Sequence, residues 1–173
     1  GKSMLHWRGE YYVQEESAAL PVTIMDPRPG EKILDMCAAP GGKSTQMAAL
    51  MNNEGLIVAN DESSQRMKSL HANVYRTGSK IINASNYDGR NIPEDEKFDR
   101  ILVDAPCSGE GDRYYRNFEA ADNGESVGLS RLQIDLMKKA KKLVKEDGVI
   151  VYSTCTITPV ENENVVSQVL EET

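Results

Sequence analysis

Long apolar runs are missing from this sequence. None approaches the roughly 20 residues that a membrane-crossing helix needs, so a spanning segment is not expected. No basic segment followed by an apolar stretch opens the chain, and no signal peptide is visible. It begins at Gly1 rather than Met, which is expected of a processed or excerpted chain. Cysteine is sparse: Cys37, Cys107 and Cys155 make an odd count with no Cys-x-x-Cys pair. That excludes a disulfide framework and disfavours a structural zinc site; a reducing, intracellular setting fits best. Excess positive charge is also lacking. The net charge is −7, which does not help a binder of phosphates. The acidic total points first to a small-molecule enzyme. It leaves RNA open, because a basic stripe or another domain can supply the phosphate contacts.

What is present is ordinary for one globular domain: 173 residues, 39% hydrophobic and 27% charged, without repeats or low-complexity stretches. Strand and helix signals alternate from about residue 31. Strands are expected over 32–37, 55–61, 79–84, 98–104 and 148–153, each an aliphatic run bounded by Gly, Asp or Asn. Helices are expected over 43–52, over 64–77 with a stop at Gly78, and over 131–146 with Ser130 as N-cap. A last helix is expected from a capping box, with Thr158 as cap, Pro159 at the first position and Glu161 three residues on. It would bury Val165, Val166, Val169 and Leu170. Residues 1–30 are expected as a lead-in packed on a catalytic domain over 31–173, a single domain overall. Alternating elements imply an α/β fold: a mostly parallel sheet with helices on both faces. Ligands bind such sheets at the carboxyl ends of the strands, which places Cys37, Asp61, Asp104 and Cys155 on one rim.

The first strand runs into Cys37-Ala38-Ala39-Pro40-Gly41-Gly42-Lys43. Small residues there let a ligand approach the backbone. The glycine spacing fits neither the dinucleotide fingerprint nor a phosphate-binding loop, and a plain tight turn is the alternative. Asp61, about 20 positions further on, suits ribose hydroxyls or a helix cap. Asp88, in Asp88-Gly89-Arg90, could face an adenine amino group or start a turn. Two strands end in Asp104-Ala105-Pro106-Cys107-Ser108-Gly109 and Ser153-Thr154-Cys155-Thr156. A thiol at a strand end faces the crevice, where a stabilised thiolate is a nucleophile.

In order and spacing, these segments resemble the Sun/NOL/NOP family of RNA cytosine-5 methyltransferases. The likeness extends to Gln14-Glu15, Pro21, Asn60, Leu132-Gln133 and Glu161-Asn162-Glu163, over about residues 9–172. It implies a Rossmann-like class I methyltransferase fold and an S-adenosylmethionine site. Residues Cys37 to Lys43 would wrap the cofactor, Asp61 bind its ribose and Asp88 lie by the adenine, with Arg66 in the same pocket. Asp104 would stand between cofactor and target base. By the same resemblance Cys155 is the nucleophile on carbon 6 of cytosine, Cys107 assists product release and Lys43 gives electrostatic help. The target must be unpaired or unstacked RNA, tRNA or rRNA, and the location cytoplasmic, or nuclear or nucleolar in a eukaryote. Arg113, Tyr114, Tyr115, Arg116 and Phe118 could hold phosphates and stack bases, or form a plain surface loop. Lys138, Lys139, Lys141, Lys142 and Lys145 form a basic helix face expected to be solvated. Family members usually carry an RNA-binding N-terminal extension and a final β-hairpin. Without the hairpin this sheet should have five strands, and further RNA-binding segments are expected in a full-length chain. An assembly module with dispensable catalysis is the rival from another class.

Overall fold

A computed structural model describes residues 3–109 and 123–171. A short helix, Met4–Trp7 (α1), and a longer one, Glu16–Met25 (α2), precede the first strand. Then follow β1 (Lys32–Asp35), α3 (Gly42–Leu50), β2 (Leu56–Asn60), α4 (Ser64–Thr77) and β3 (Ile82–Ser85). The chain continues through a 3-10 turn at Gly89–Asn91 into β4 (Phe98–Asp104), α5 (Asn123–Leu143), β5 (Val144–Ser153) and α6 (Glu163–Glu171).

All four strand pairings are parallel, in the order β3-β2-β1-β4-β5. The crossover between β1 and β4 is where the strand order reverses, so a crevice opens there at the carboxyl ends. Successive residues of a strand point to opposite faces, and the two cores follow that alternation. Ile33, Ile57, Ala59 and Leu102 pack with Val22 and Met25 of α2, Met47 of α3 and Leu70 of α4. Leu34, Ile101 and Val103 pack with Leu136, Ala140 and Leu143 of α5 and with Val165 and Val169 of α6. Helices therefore cover both faces, as the alternation of elements implied. Among the described residues no helix is long and apolar enough to cross a membrane.

Helix α4 matches its expected bounds: the Ser63 hydroxyl accepts from the Arg66 N–H at 3.3 Å, and Gly78 ends it with φ +65°. Three expectations need correction. Ser130 does not start a helix. It lies within α5, where its hydroxyl donates to the Val127 carbonyl one turn back at 3.0 Å, a bond that lets serine sit inside a helix. The helix also ends at Leu143 rather than 146, because Val144 already pairs with Phe98 as the start of β5. The last helix begins at Glu163. Thr158 does cap locally, accepting the Val160 N–H at 3.4 Å, but Glu161 leaves the capping box for a buried tertiary contact. Val165 and Val169 are buried there, whereas Leu170 is exposed. Helix α2, with Pro21 inside it, had no counterpart in the sequence reading.

Gly55 carries the sharp turn into β2. Its φ is +113°, and an added Cβ would lie 2.4 Å from the Glu31 carbonyl oxygen. Gly78 has φ +65° with open space around it. Gly78→Ala should therefore cost about 1 kcal/mol, the left-handed penalty alone. Gly55→Ala should cost at least about twice that, because the backbone must also shift; urea unfolding of the two variants measures the difference.

Candidate active site

Parallel pairing aligns the strand ends. Asp35 pairs with Ala59 and Leu102, and Asp104 with Ser153, so the loops after β1, β2, β4 and β5 leave on one side. Asn60, at the end of β2, fastens the exits of β1 and β3 to its own. Fully buried, its side-chain amide donates to the Met36 carbonyl at 3.1 Å and the Tyr87 carbonyl at 2.9 Å. Its oxygen accepts from the Tyr87 N–H and the Ser85 hydroxyl.

The loop after β1 is built on that support. The Ala38 N–H donates to the Asn60 carbonyl at 2.7 Å, the Ala39–Pro40 peptide is cis, and Gly41 turns with φ +103° into α3. Asp61 is buried under the loop, accepting from the Ala39 N–H at 3.1 Å and the Ser63 N–H at 3.0 Å. Arg66 reaches back from α4 to Asp61 at 3.2 Å and to the Ala39 carbonyl. Together they shape a cleft of about 340 Å³. Cys37, Asp61, Arg66 and Asp88 line it with the apolar Met36, Pro106, Leu132 and Leu136. Gly89 is at its wall because any Cβ there would strike Leu136 at 2.5 Å. Asp88 caps the 3-10 turn and holds Arg90; the Arg90 hydrogen bonds keep its carboxyl below the usual carboxylate range.

A second cleft, about 680 Å³, continues along Asp35, residues 37–40, Gly42, Lys43 and Asp104. The third, about 1230 Å³, is lined by Lys43, Asp104, Ser153, Thr154, Cys155 and, across from them, Glu15. Cys37 joins the first two clefts, and Lys43 with Asp104 joins the last two. The residues expected on one rim thus form a continuous path from Asp88 to Cys155. Both oxygens of Asp104 are engaged, one by Lys43 Nζ at 2.8 Å and the other by the Ser153 hydroxyl at 2.7 Å.

The three cysteines differ sharply. Burial pushes the Cys37 thiol well up, and Asp35, Asp61 and Asp104 push it further, so it lines the path as a neutral group. Cys107 and Cys155 face each other at 2.9 Å between sulfurs, and the Cys155 N–H donates to Cys107 Sγ at 3.2 Å. The Cys155 S–H and the backbone N–H groups of Cys155 and Gly109 bring Cys107 down to about 7 against the cost of burial. The same S–H contact pushes Cys155 up. Either sulfur can donate across this contact, and Cys155 is the exposed one of the two.

The sequence reading missed two residues. Asn60 entered only through the family resemblance. Asp35, inside the expected first strand, is fully buried on the second cleft. The Ser44 hydroxyl donates to one of its oxygens at 2.6 Å, and the other has no partner among the described residues. Arg113, Tyr114, Tyr115, Arg116 and Phe118 lie outside the described residues. The lysine face is engaged within the chain. Lys139 pairs with Glu94 at 2.7 Å, Lys145 with Asp99 at 2.7 Å, and Lys141 donates to the Val169 carbonyl.

The family described as 16S rRNA methyltransferase RsmB/F matches residues 22–173. The chain belongs to that family. It is 43% identical over 174 residues to the ribosomal RNA small subunit methyltransferase F of Vibrio campbellii, covering 95% of this chain and 36% of that protein. It is 47% identical over 164 residues to the tRNA (cytosine(49)-C(5))-methyltransferase of Pyrococcus abyssi, covering 92% of this chain and 52% of the relative. The chain thus spans from about a third to about half of the length of these relatives. The crystal structure of NSun6 from Pyrococcus horikoshii with SFG superposes with a TM-score of 0.93 at 33% identity, over 99% of this chain and 44% of that one. TrmN from Thermus thermophilus, at 20% identity and a TM-score of 0.66, shares the fold. The fold is the Rossmann-like methyltransferase fold.

In this RsmB/F-family chain the buried Asp35 gives a pH-dependent stability. Burial raises its carboxyl from 3.8 to about 7. A raised acid favours the folded state fully below its unfolded pKa, and that contribution is lost as pH climbs from about 4 to about 7. Asp35→Asn should therefore unfold with a flatter pH profile over that window and gain stability above pH 7, by up to a few kcal/mol. Denaturant titrations at pH 4.5 and 8 measure it; parallel losses in both proteins would count against the assignment.

Proposed function

We propose that this domain transfers a methyl group from S-adenosylmethionine to carbon 5 of cytosine in tRNA or rRNA, through a covalent adduct on Cys155. The observation that carries this reading is the thiol pair at one end of a path that runs, by way of Lys43 and Asp104, to an acid-lined cleft. The names of the relatives, both RNA methyltransferases, support it.

The first two clefts fit the cofactor. The unpartnered oxygen of Asp35 suits an ammonium group, Asp61 suits ribose hydroxyls, and Asp88 suits an adenine amine against Met36, Leu132 and Leu136. The loop from Cys37 to Lys43 would wrap it, held in shape by Arg66. When bound, S-adenosylmethionine supplies an electrophilic methyl group on sulfur. The neighbouring structure with SFG, an analogue of that cofactor, supports S-adenosylmethionine as the cofactor.

In the third cleft Cys155 Sγ adds to carbon 6 of the base as its proton passes to Cys107. Asp104 accepts from the exocyclic amine beside the ring nitrogen, and Lys43 balances its charge. After methylation the proton on carbon 5 passes to solvent water in the cleft, the ring double bond re-forms and Cys155 is expelled as thiolate. The S–H of Cys107 then donates to it, which is how Cys107 serves product release. The base must be unpaired or flipped to reach this depth. Additional segments of a full-length chain would supply the phosphate contacts that a net charge of −7 does not. Such substrates fit a cytoplasmic site of action, or a nuclear or nucleolar one in a eukaryote.

Cys107→Ala, which hinders release more than attack, is expected to form a covalent RNA adduct slowly and accumulate it, whereas Cys155→Ala forms none. Denaturing gel shifts with cofactor and labelled RNA read both. An adduct that persists in Cys155→Ala and vanishes in Cys107→Ala would reverse the two roles. Methylation-site sequencing of RNA from cells lacking the protein tests the activity itself; no lost site would favour an assembly role.

A further inference from the structure

Behind the thiols lies a polar cluster that the reaction above does not use. Gln133 of α5 and Glu161 of the turn before α6 are both fully buried. Glu161 Oε2 accepts from Gln133 Nε2 at 2.8 Å and from the Ser108 N–H at 3.2 Å. Gln133 Nε2 also donates to the Pro106 carbonyl at 2.8 Å. The two residues flanking Cys107 are therefore held by this pair. Asn162, the next residue, does the same for Cys155: it accepts from the Thr154 hydroxyl at 2.7 Å and donates to the Thr156 carbonyl at 3.2 Å. The Ser108 hydroxyl donates to the Thr156 hydroxyl at 3.0 Å, closing the two loops on each other. Tyr152 donates to the Glu161 carbonyl at 2.6 Å and anchors the turn to β5.

We propose that Gln133 and Glu161, with Asn162 beside them, are positioning residues that hold the Cys107 and Cys155 loops so that the two sulfurs face each other. Stability alone does not account for them. Among the described residues Glu161 has no cationic partner, and one side-chain oxygen of each residue is buried without a hydrogen bond. Burying such groups costs free energy, and apolar side chains of similar volume would fill the same space. What an apolar pair could not do is fix the Pro106 carbonyl and the Ser108 N–H on either side of one thiol. Directional hydrogen bonds in a low-dielectric interior set position in a way that packing does not.

The role rests on the cysteine chemistry proposed above, but it is read without RNA, cofactor or turnover, so the two can fail separately. The probe is iodoacetamide, which reacts with the thiolate. Its rate at Cys107 and Cys155 is followed against pH and localised by mass spectrometry. The charged and titratable groups facing the thiols are Asp104 with its Lys43, Glu161 and the Tyr152 phenol. In the unmodified protein Cys107 should react with a midpoint near 7. Gln133→Met keeps the volume and removes the donor; Glu161→Ala removes the acceptor. Each should move the midpoint up by about one unit or more, roughly a tenfold loss of rate at pH 7 relative to the plateau. Glu161→Gln keeps an acceptor oxygen and removes a charge, so its midpoint should stay at or below the starting value. The proposal is overturned if folded Gln133→Met retains the original midpoint, or if Glu161→Gln shifts as far as Glu161→Ala. A Cys107 midpoint near the ordinary thiol value in the unmodified protein also overturns it. Should Glu161→Ala not fold, Gln133→Met alone decides.

Discussion

The parallel pairing of β4 with β5 is the constraint on which the reactive end depends. Its register sets Asp104 beside Ser153, and the two loops that follow must then leave side by side. Cys107 comes three residues after one strand end and Cys155 two after the other, so their sulfurs meet without any long-range search. A register slip of one residue would turn every side chain of β5 to the opposite face. It would remove the Ser153 hydroxyl from Asp104 and Tyr152 from the Glu161 turn together. The irregularity between Phe98 and Arg100 lies at the other end of the pair, where it leaves this alignment untouched.

The rim gathers three aspartates, and their differences come from what surrounds each. Asp61 has backbone donors on both oxygens and an arginine beside it. Asp104 has a lysine and a hydroxyl. Asp35 has one hydroxyl and full burial, and burial pushes it towards neutrality. Charge compensation thus varies along the path: Asp61 is well paired, Asp35 has a single hydroxyl, and Asp104 is paired but accessible. Lys43 sits where two clefts meet and is the natural counter-charge there.

Much of this was legible in the sequence, for identifiable reasons. The five strands declared themselves because a sheet buried on both faces needs continuous aliphatic runs, and Lys32–Asp35 and Phe98–Asp104 carry them. Ser63 and Gly78 bounded α4 because both ends are set by local hydrogen bonds. Glu161 was misread because Thr158-Pro159-Val160-Glu161 satisfies a local rule, while its actual partners lie 28 and 53 residues away in the chain. Asp35 was overlooked because burial, which no local pattern reports, is what makes it unusual. The cysteines were placed at the crevice by their strand ends alone; their precedence came only from the family resemblance. The lowering of Cys107 depends on the Cys155 thiol and on backbone N–H groups of Cys155 and Gly109, and has no signature in either segment.

The four hydrogen bonds of the Asn60 amide bear on how the first two clefts respond to a ligand. Met36 belongs to the exit of β1, Tyr87 and Ser85 to that of β3, and one planar group at the end of β2 holds them at fixed separations. Neither exit can swing open without breaking its bonds to Asn60. The clefts are therefore stiff, and little conformational entropy is left to lose when something binds there. Discrimination among nucleoside-like ligands should then come from fit to a shape already present, with small off-rates for those that match and no adaptive rearrangement for those that do not.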